Sequence, residues 1–556
     1  MKTSGVWQAV TRMVGRWFVP MLLPCAVLAQ GVPSAAQIVA PVSQGVPSAA
    51  QIVTSAKQGD AAPEQGNAPA LFAQHCASCH GVDRFGGTGP ALLPESLARL
   101  RPAAAQTTIR DGRAATQMPA FGTTLQDPQI QALINYIYSA PAQKPEWGDE
   151  QIRASRIVTD RQLSDKPVFQ ADMMNLFIVV ETGDHHATVL DGDRLEPIKR
   201  FQTRYALHGG PKFSPDGRYV YFASRDGWVS KYDIWNLEMV AEIRVGINTR
   251  NIAVSGDGRY VLAANYLPHT VVVLDAKDLT LLKSIPAVDE KGTSSRVSAV
   301  YDAAPRKSFI VALKDVPELW EISYDDAAPP IYAGLVHDYK MGEALGLPGK
   351  LNPRRTPLAS ALDDFFFDQS YTNVIGASRE GQAQVVNLNV RRKIADLDLT
   401  GMPHLGSGIT WDRAGRPVMA TPNLKEGLVT VIDMQDWKVV RQIRTPGPGF
   451  FMRSHENTPY AWTDVFMGKD KDTLQIVDKQ SLEIVRTLTP APGKTAAHVE
   501  FSRDGKYALV SVWETDGELV VYDAATFEIV KRLPMNKPSG KYNVYNKISR
   551  SAGTSH

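Results

Sequence analysis

Cys76-Ala77-Ser78-Cys79-His80 is a spacing with a specific chemistry. Two thiols two residues apart add across the vinyl groups of a porphyrin, and the histidine that follows is then held against the iron, so C-x-x-C-H marks covalent attachment of a c-type haem. Cys76 and Cys79 are therefore the expected covalent links and His80 the proximal iron ligand. The stretch Thr116-Gln117-Met118-Pro119-Ala120-Phe121 offers a thioether, and Met118 is the expected distal ligand. Methionine with histidine raises the iron potential relative to two histidines, which suits a haem that takes up electrons and passes them on. A zinc site would need a second C-x-x-C, and the only other cysteine is Cys25.

The elements that must hold this haem are helical. Ala68, Leu71 and Phe72 repeat at helical spacing before the motif; Asp127-Pro128-Gln129 opens a helix with Ile130, Leu133, Ile134 and Ile137 on one face. A small all-α, class I-type cytochrome c domain is expected over residues 67–141, followed by a proline-bearing linker over 142–165. Ahead of it, Lys2, Arg12 and Arg16 precede an apolar run ending in Val27-Leu28-Ala29, the pattern of a secretory signal peptide over 1–29. The run is short for a bilayer span and is broken by Pro20 and Pro24. A lipobox reading of Leu22-Leu23-Pro24-Cys25 is the alternative, weakened by its proline. Cleavage implies a soluble periplasmic protein whose remaining thiols are both committed to haem, so no disulfide is expected. Residues 30–66 carry a duplicated tract, Gln30 to Val39 recurring as Gln44 to Val53, and read as a flexible leader. A net charge of +2 from 60 basic and 58 acidic residues leaves no footprint for nucleic acid or an anionic membrane.

Beyond the linker a repeat of 40 to 46 residues, on the order expected for propeller blades, takes over. Phe213-Ser214-Pro215-Asp216-Gly217-Arg218-Tyr219 leads to a strand ending at Asp233, and Val254-Ser255-Gly256-Asp257-Gly258-Arg259-Tyr260 to one ending at Asp275. Each unit reads as an alternating strand, a second strand closing on an acid or amide, and a third. Asp191, Asp233, Asp275, Glu321, Asn387, Asp433, Asp478 and Asp523 give eight units, so an all-β eight-bladed propeller is expected over 166–551. Seven is the count if one weak unit is misread. The wide gap between Glu321 and Asn387 implies an insertion over Tyr324 to Asp363, expected as a loop over one mouth of the propeller.

A haem cytochrome fused to such a propeller resembles the cytochrome cd1 nitrite reductase family, which holds haem d1 in the propeller mouth. Ala206-Leu207-His208-Gly209-Gly210-Pro211, Asn248-Thr249-Arg250-Asn251, Gly401-Met402-Pro403-His404, Arg453-Ser454-His455-Glu456-Asn457, Ala497-His498-Val499-Glu500 and Gly540-Lys541-Tyr542-Asn543 are similar to its d1-dehydrogenating branch, which acts last in haem d1 biosynthesis. The resemblance implies an oxidoreductase that turns a propionate of dihydro-haem d1 into an acrylate and sends the electrons to haem c. It implies His208 and His404 as d1-iron ligand candidates, with Arg225 and Arg250 as pocket residues and Arg453 and Lys541 as weaker ones. His498 is implied as general base and Tyr542 as the phenol that positions the reacting side chain. His498 is expected at a blade end, with Glu500 turned outward.

The reductases carry a second distal histidine where this chain reads Ala420-Thr421-Pro422-Asn423-Leu424, which weakens a nitrite reductase reading. That reading and a non-catalytic d1 carrier remain the alternatives; a transient contact with the reductase and an unidentified periplasmic electron acceptor are the implied partners. His185, His186 and His269 read as solvent-facing turn residues, His337 as part of the insertion, and His455 as a residue that shapes the d1 cavity. Asp363 to Asp368, with Phe365, Phe366 and Phe367 between acids, reads as a buried strand and not as a metal site. Haem iron is the only metal expected.

Overall fold

A computed structural model describes residues 67–549 apart from 88, 99, 113–117, 144, 333–345 and 379–380. Residues 1–29, read as a signal peptide, the duplicated tract of 30–66 and His337 lie outside the described residues.

The N-terminal part is helical, with Ala68–His75, Ala77–His80, Pro94–Leu97, Pro102–Asp111 and Asp127–Tyr138. Phe72, Ile109, Ile130, Leu133 and Ile134 form its core, and Cys76, Met118 and Phe121 pack against the same cluster. The apolar stripe read from the sequence is thus the face that closes over the haem motif. Asp127 is the first helical residue; the cap is Gln126, whose amide donates to the Gln129 side chain at 2.9 Å.

The rest is a ring of eight antiparallel sheets. The innermost strands of blades 2 to 8 are Leu207–Phe213, Asn248–Val254, Val297–Ala303, Asp364–Phe367, Ile409–Arg413, Met452–Ser454 and Ala496–Phe501. Blade 1 combines Leu176–Glu181, His186–Asp191 and Glu196–Gln202 with an innermost strand from the other end of the chain, Pro538–Asn543. Pairing Ile178 with Tyr542 closes the ring and leaves no open sheet edge at the seam. Blades carry four strands, and seven of the eight residues read as closing the second strand close the third; Glu321 lies inside its strand, which runs on to Ser323. Its role is local. The carboxylates of Asp191, Asp233, Asp433, Asp478 and Asp523 accept the backbone N–H groups two and three residues on, fixing the turn to the outer strand. Val, Ile and Leu on alternate faces fill the seams between blades, as where Val271, Val273, Val300, Val311 and Trp320 meet.

Residues 142–165 are more than a spacer. Asp149–Ala154 is a helix, and Ile157–Val158 adds a fifth strand outside blade 2 by pairing with Ala241 and Glu242. The insertion leaves its blade between Glu318–Ser323 and Pro353–Pro357. Tyr324 at its start donates to Asp302 at 2.8 Å, and Asp326 pairs with Arg259 at 3.0 Å. Asp302 and Arg259 sit at or beyond the C-terminal ends of their inner strands. This is the end of the ring opposite His208, so the start of the insertion lies away from the mouth where the resemblance puts the pigment, while Asp363 at its far end lines the same cavity as His208.

Candidate active site

The N-terminal ends of the inner strands converge on the hub around a cavity of about 660 Å³, lined by His208, Arg250, Asp364, His404, Phe450, Phe451, Arg453, Trp513 and Tyr542 among others. Such a volume suits a ligand of cofactor size. His208 is second in its strand, followed by Gly209 and Gly210 at φ +81° and +69°. A Cβ on Gly209 would sit 2.3 Å from the Asn251 side-chain oxygen, so this left-handed turn tolerates only glycine. The backbone is thereby pulled aside, and the register slips between His208 and Lys212.

Both cavity histidines are oriented by a backbone carbonyl. His208 Nδ1 lies 2.6 Å from Arg250 O, and His404 Nδ1 lies 2.6 Å from Phe450 O. A carbonyl only accepts, so Nδ1 carries the proton and Nε2 keeps the lone pair, the tautomer an iron ligand requires. The Arg250 guanidinium meets His208 Nε2. Burial pushes the His404 imidazolium below its usual range, with Asp364 acting in the opposite sense. Asp364 accepts from Tyr301 Oη at 2.9 Å and from the Gly406 amide at 2.8 Å. The strand of three phenylalanines read between acids is therefore buried as expected, and its first acid faces the cavity.

His498 does not line the cavity. Its side chain is 0% exposed, with ring centroids 4.7 Å from Phe451 and 5.2 Å from Tyr542, both of which do line it. The backbone at His498 has φ +48°, and the strand register slips between Ala497 and Val499. A left-handed non-glycine residue in a strand stores strain, and such strain collects at working sites. Neither ring nitrogen has a hydrogen-bond partner among the described residues. Burial, then Lys541, Arg453 and Lys547, push its pKa well below the ordinary value, so the imidazole is neutral. The phenol of Tyr542 is pushed up to about 12, chiefly by burial.

Other expectations change place. Arg225 lies in the turn after Tyr219–Ser224, its amide donating to Ala206 O at 3.2 Å, and is not a lining residue. Lys541 is fully buried in the seam with the neighbouring blade, donating to Ser511 Oγ at 2.8 Å and to His498 O. Glu500 is fully buried as well, accepting from Asn546 at 3.1 Å; inside a ring the alternate face of an inner strand meets the next blade, not water. His455 is buried near Phe501 and against Gly505, away from the cavity lining. Where the reductases carry a second histidine, Asn423 is buried and holds the Thr400 carbonyl at 2.7 Å.

Sequence reasoning missed Asp464. Its carboxylate accepts from Phe450 at 2.7 Å, Phe451 at 3.0 Å and the His498 amide at 3.1 Å, and so places both aromatic rings and the strained histidine. Burial pushes this carboxyl up to about 6. Asp464→Asn removes acceptor capacity for these amides and is expected to lower unfolding free energy by about 1–3 kcal/mol. Denaturant melts of the holoprotein measure it, and an unchanged midpoint contradicts it. The sign with pH is also set. A carboxyl raised on folding adds stability that is lost as pH rises through about 6, so this pH dependence is absent from the variant.

The haem c residues sit together. His80 is nearly buried, its Nδ1 2.7 Å from Pro90 O, which again leaves Nε2 for iron. Gly89 lies so close to this ring that a Cβ there would be 2.7 Å from Cε1. Cys76 and Cys79 are half-buried and unbridged. This donor set fits a c-type haem. The loop that bears Pro90 also docks on the propeller. Ala91 and Leu93 pack on Ile247 and Leu267, and Arg244 donates to Phe85 O while stacking 4.6 Å from the Trp147 ring. Ile247 immediately precedes the strand that carries Arg250.

Residues 171–547 match the Cytochrome D1 heme domain family, and residues 61–137 match the Cytochrome C oxidase, cbb3-type, subunit III family. The chain is 56% identical over 501 residues to a Dihydro-heme d1 dehydrogenase of Pseudomonas aeruginosa, covering 89% of this chain and 97% of that protein. The chain belongs to the dihydro-haem d1 dehydrogenase family. A solved structure of this family, Dihydro-heme d1 dehydrogenase NirN in complex with DHE, superimposes with a TM-score of 0.80 at 56% identity, covering 86% of this chain and 99% of that one. A Nitrite reductase of Stutzerimonas stutzeri is 25% identical over 88% of this chain and 94% of its own length. The dihydro-haem d1 dehydrogenase architecture, a cytochrome c domain followed by an eight-bladed propeller, is the one described above. Among the described residues no helix is long and apolar enough to cross a membrane.

Proposed function

We propose that the protein is a periplasmic oxidoreductase that converts dihydro-haem d1 to haem d1, the last step of that cofactor's biosynthesis for denitrification. One propionate loses two protons and two electrons, CH2–CH2 becoming CH=CH. The observation that carries this reading is the hub cavity with carbonyl-oriented His208 and His404, Arg250 and Tyr542, in a chain 56% identical to a Dihydro-heme d1 dehydrogenase along nearly all of that protein's length. When bound at Cys76, Cys79, His80 and Met118, a haem supplies a one-electron acceptor.

The chain's own groups divide the remaining work. His208 and His404 present Nε2 lone pairs toward the pigment iron, and Arg250 exchanges its contact with His208 for a pigment carboxylate, which a guanidinium binds bidentately. Tyr542 touches the reacting side chain, and His498 behind it takes the proton. Its depressed pKa keeps the lone pair available throughout the neutral range. Phe450, Phe451 and Trp513 supply apolar walls that exclude water. The finished pigment passes to cytochrome cd1 nitrite reductase by transient contact, and the electrons to a periplasmic acceptor.

The reductase alternative is disfavoured by the stretch Ala420 to Leu424, which holds no histidine to donate a proton to bound nitrite. A pure carrier has no use for the haem c residues. Anaerobic incubation of dihydro-haem d1 with at least two equivalents of oxidised holoprotein, so that two haems c take up the two electrons, tests the reading: loss of two hydrogens by mass, with haem c reduction, is expected. Binding of the pigment without that mass change overturns it in favour of the carrier, and nitric oxide formation from nitrite at comparable rates favours the reductase.

A further inference from the structure

Beneath the cavity floor lies a second one of about 410 Å³, opening at the opposite mouth of the ring. Pro211 and Tyr301 line both, so the floor is one side chain thick. Two lysines line the lower cavity and reach this floor. Lys212 Nζ donates to Gly209 O at 3.2 Å, the carbonyl of a residue lining the upper cavity, and stands 5.8 Å from the Tyr301 ring centroid. Lys547, on the terminal helix Val544–Ser549, has Nζ 5.6 Å from the ring centroid of Tyr542.

On the reading proposed above, dehydrogenation leaves two protons at the cavity's Tyr542 side, beneath a macrocycle that fills the upper mouth. We propose that Lys547 and Lys212 form a proton exit from the dehydrogenation site, handing protons from the Tyr542 end of the upper cavity to the lower mouth. Each transfer is a proton exchange on an amine: Nζ takes a proton from above and releases one to water below, with no change in oxidation state. The electrons leave separately to the one-electron acceptor already named.

The charged surroundings fit this use. Lys547 is faced by Arg453, Glu500, Lys212 and the Tyr542 ring. Lys212 is faced by Asp364, Arg453, Lys547 and the Tyr301 ring. Burial among mostly positive neighbours brings Lys212 down to about 8 and Lys547 well below the ordinary lysine value. A lysine near neutrality both accepts and returns a proton, whereas an ordinary one stays charged. The floor needs no cation for packing alone, since apolar side chains fill the blade seams elsewhere.

The test uses holoprotein with dihydro-haem d1, wild type beside Lys212→Met and Lys547→Met, following mass change and pigment binding. Expected are pigment affinity within twofold of wild type, desaturation at least tenfold slower, and partial recovery with methylamine, which enters the open lower mouth. In wild type the rate rises with pH through about 8 as Lys212 loses its proton, and this limb is absent from Lys212→Met. Lys212→Arg and Lys547→Arg keep the charge but not the exchange and are expected to stay slow. Unchanged rates, or slow rates fully explained by lost pigment binding, overturn the exit; so does recovery by arginine without amine. A wild-type protein that binds pigment without desaturating it overturns the functional reading itself, a result distinct from normal turnover in the lysine variants. Haem c absorption and circular dichroism identify misfolded variants, and should both methionine variants misfold, the arginine pair and the wild-type pH limb still decide.

Discussion

His498→Ala is expected to slow desaturation by about 10²–10⁴-fold, the usual worth of a general base, while leaving haem c attachment and pigment binding intact. The ring is fully buried, yet its two nitrogens are unpaired and its backbone is held at φ +48°. A buried polar group without a partner costs stability, and a packing residue would not be chosen for it. Because the imidazole is already neutral, the pH profile should show no acid limb near pH ~6.5, the ordinary histidine value. A limb there would mean that the buried ring titrates as an exposed one does. Tyr542→Phe separates the partners: it keeps the ring that covers His498 and removes only the hydroxyl. A loss confined to KM assigns the phenol to positioning, a loss in kcat to proton transfer. Unchanged single-turnover rates in His498→Ala would move the base role to a group that lines the cavity, of which Asp364 is the nearest in chemistry.

What the sequence discloses depends on how local the cause is. The haem c residues follow from a five-residue motif, because the covalent chemistry itself fixes the spacing. Seven of the eight units follow from the acid or amide that ends one strand per blade, because its turn hydrogen bonds lie within three residues. That residue closes the third strand and not the second because the innermost strands give little signal. Leu207–Phe213 contains two glycines and a proline, and Asn248–Val254 is buried at almost every position, so neither alternates polar with apolar. The closure by Pro538–Asn543 has no local signature at all, since its partner lies at the other end of the propeller.

The same distinction runs through the site. His208, Arg250, His404 and Tyr542 were reached by resemblance, and the structure brings all four to one cavity. Arg225, one turn away from the rim, shows that a strand-end context is not a direction. Depth in the hub is a property of the closed ring. The burial of His498, Glu500 and Lys541, the bracket made by Asp464 and the two lysines under the floor are therefore invisible until eight blades are assembled.

Cys76→Ala with Cys79→Ala is expected to abolish covalent haem and, with a one-electron acceptor protein in the assay, to stop multiple turnover however intact the propeller, because the two electrons of each desaturation lose their exit. The argument is geometric as well as chemical. The His80 loop is ordered twice, by Pro90 O on the imidazole and by Ala91 and Leu93 on Ile247 and Leu267 of the propeller. Ile247 leads into the strand whose Arg250 meets His208, so the haem c ligand loop and the pigment end of the hub are joined through one short run of buried chain. Without haem the domain keeps only the small core of Phe72, Ile109, Ile130, Leu133 and Ile134, and it should melt separately from the propeller, whose core clusters are its own. Calorimetry resolving an early, haem-dependent transition from a late one checks the structural half. Pigment binding measured by absorbance checks the functional half: retained affinity with lost multiple turnover is the expected pair. Sustained turnover by the double variant, with that acceptor protein as the sole oxidant, would show that electrons leave the cavity by a route that bypasses the cytochrome.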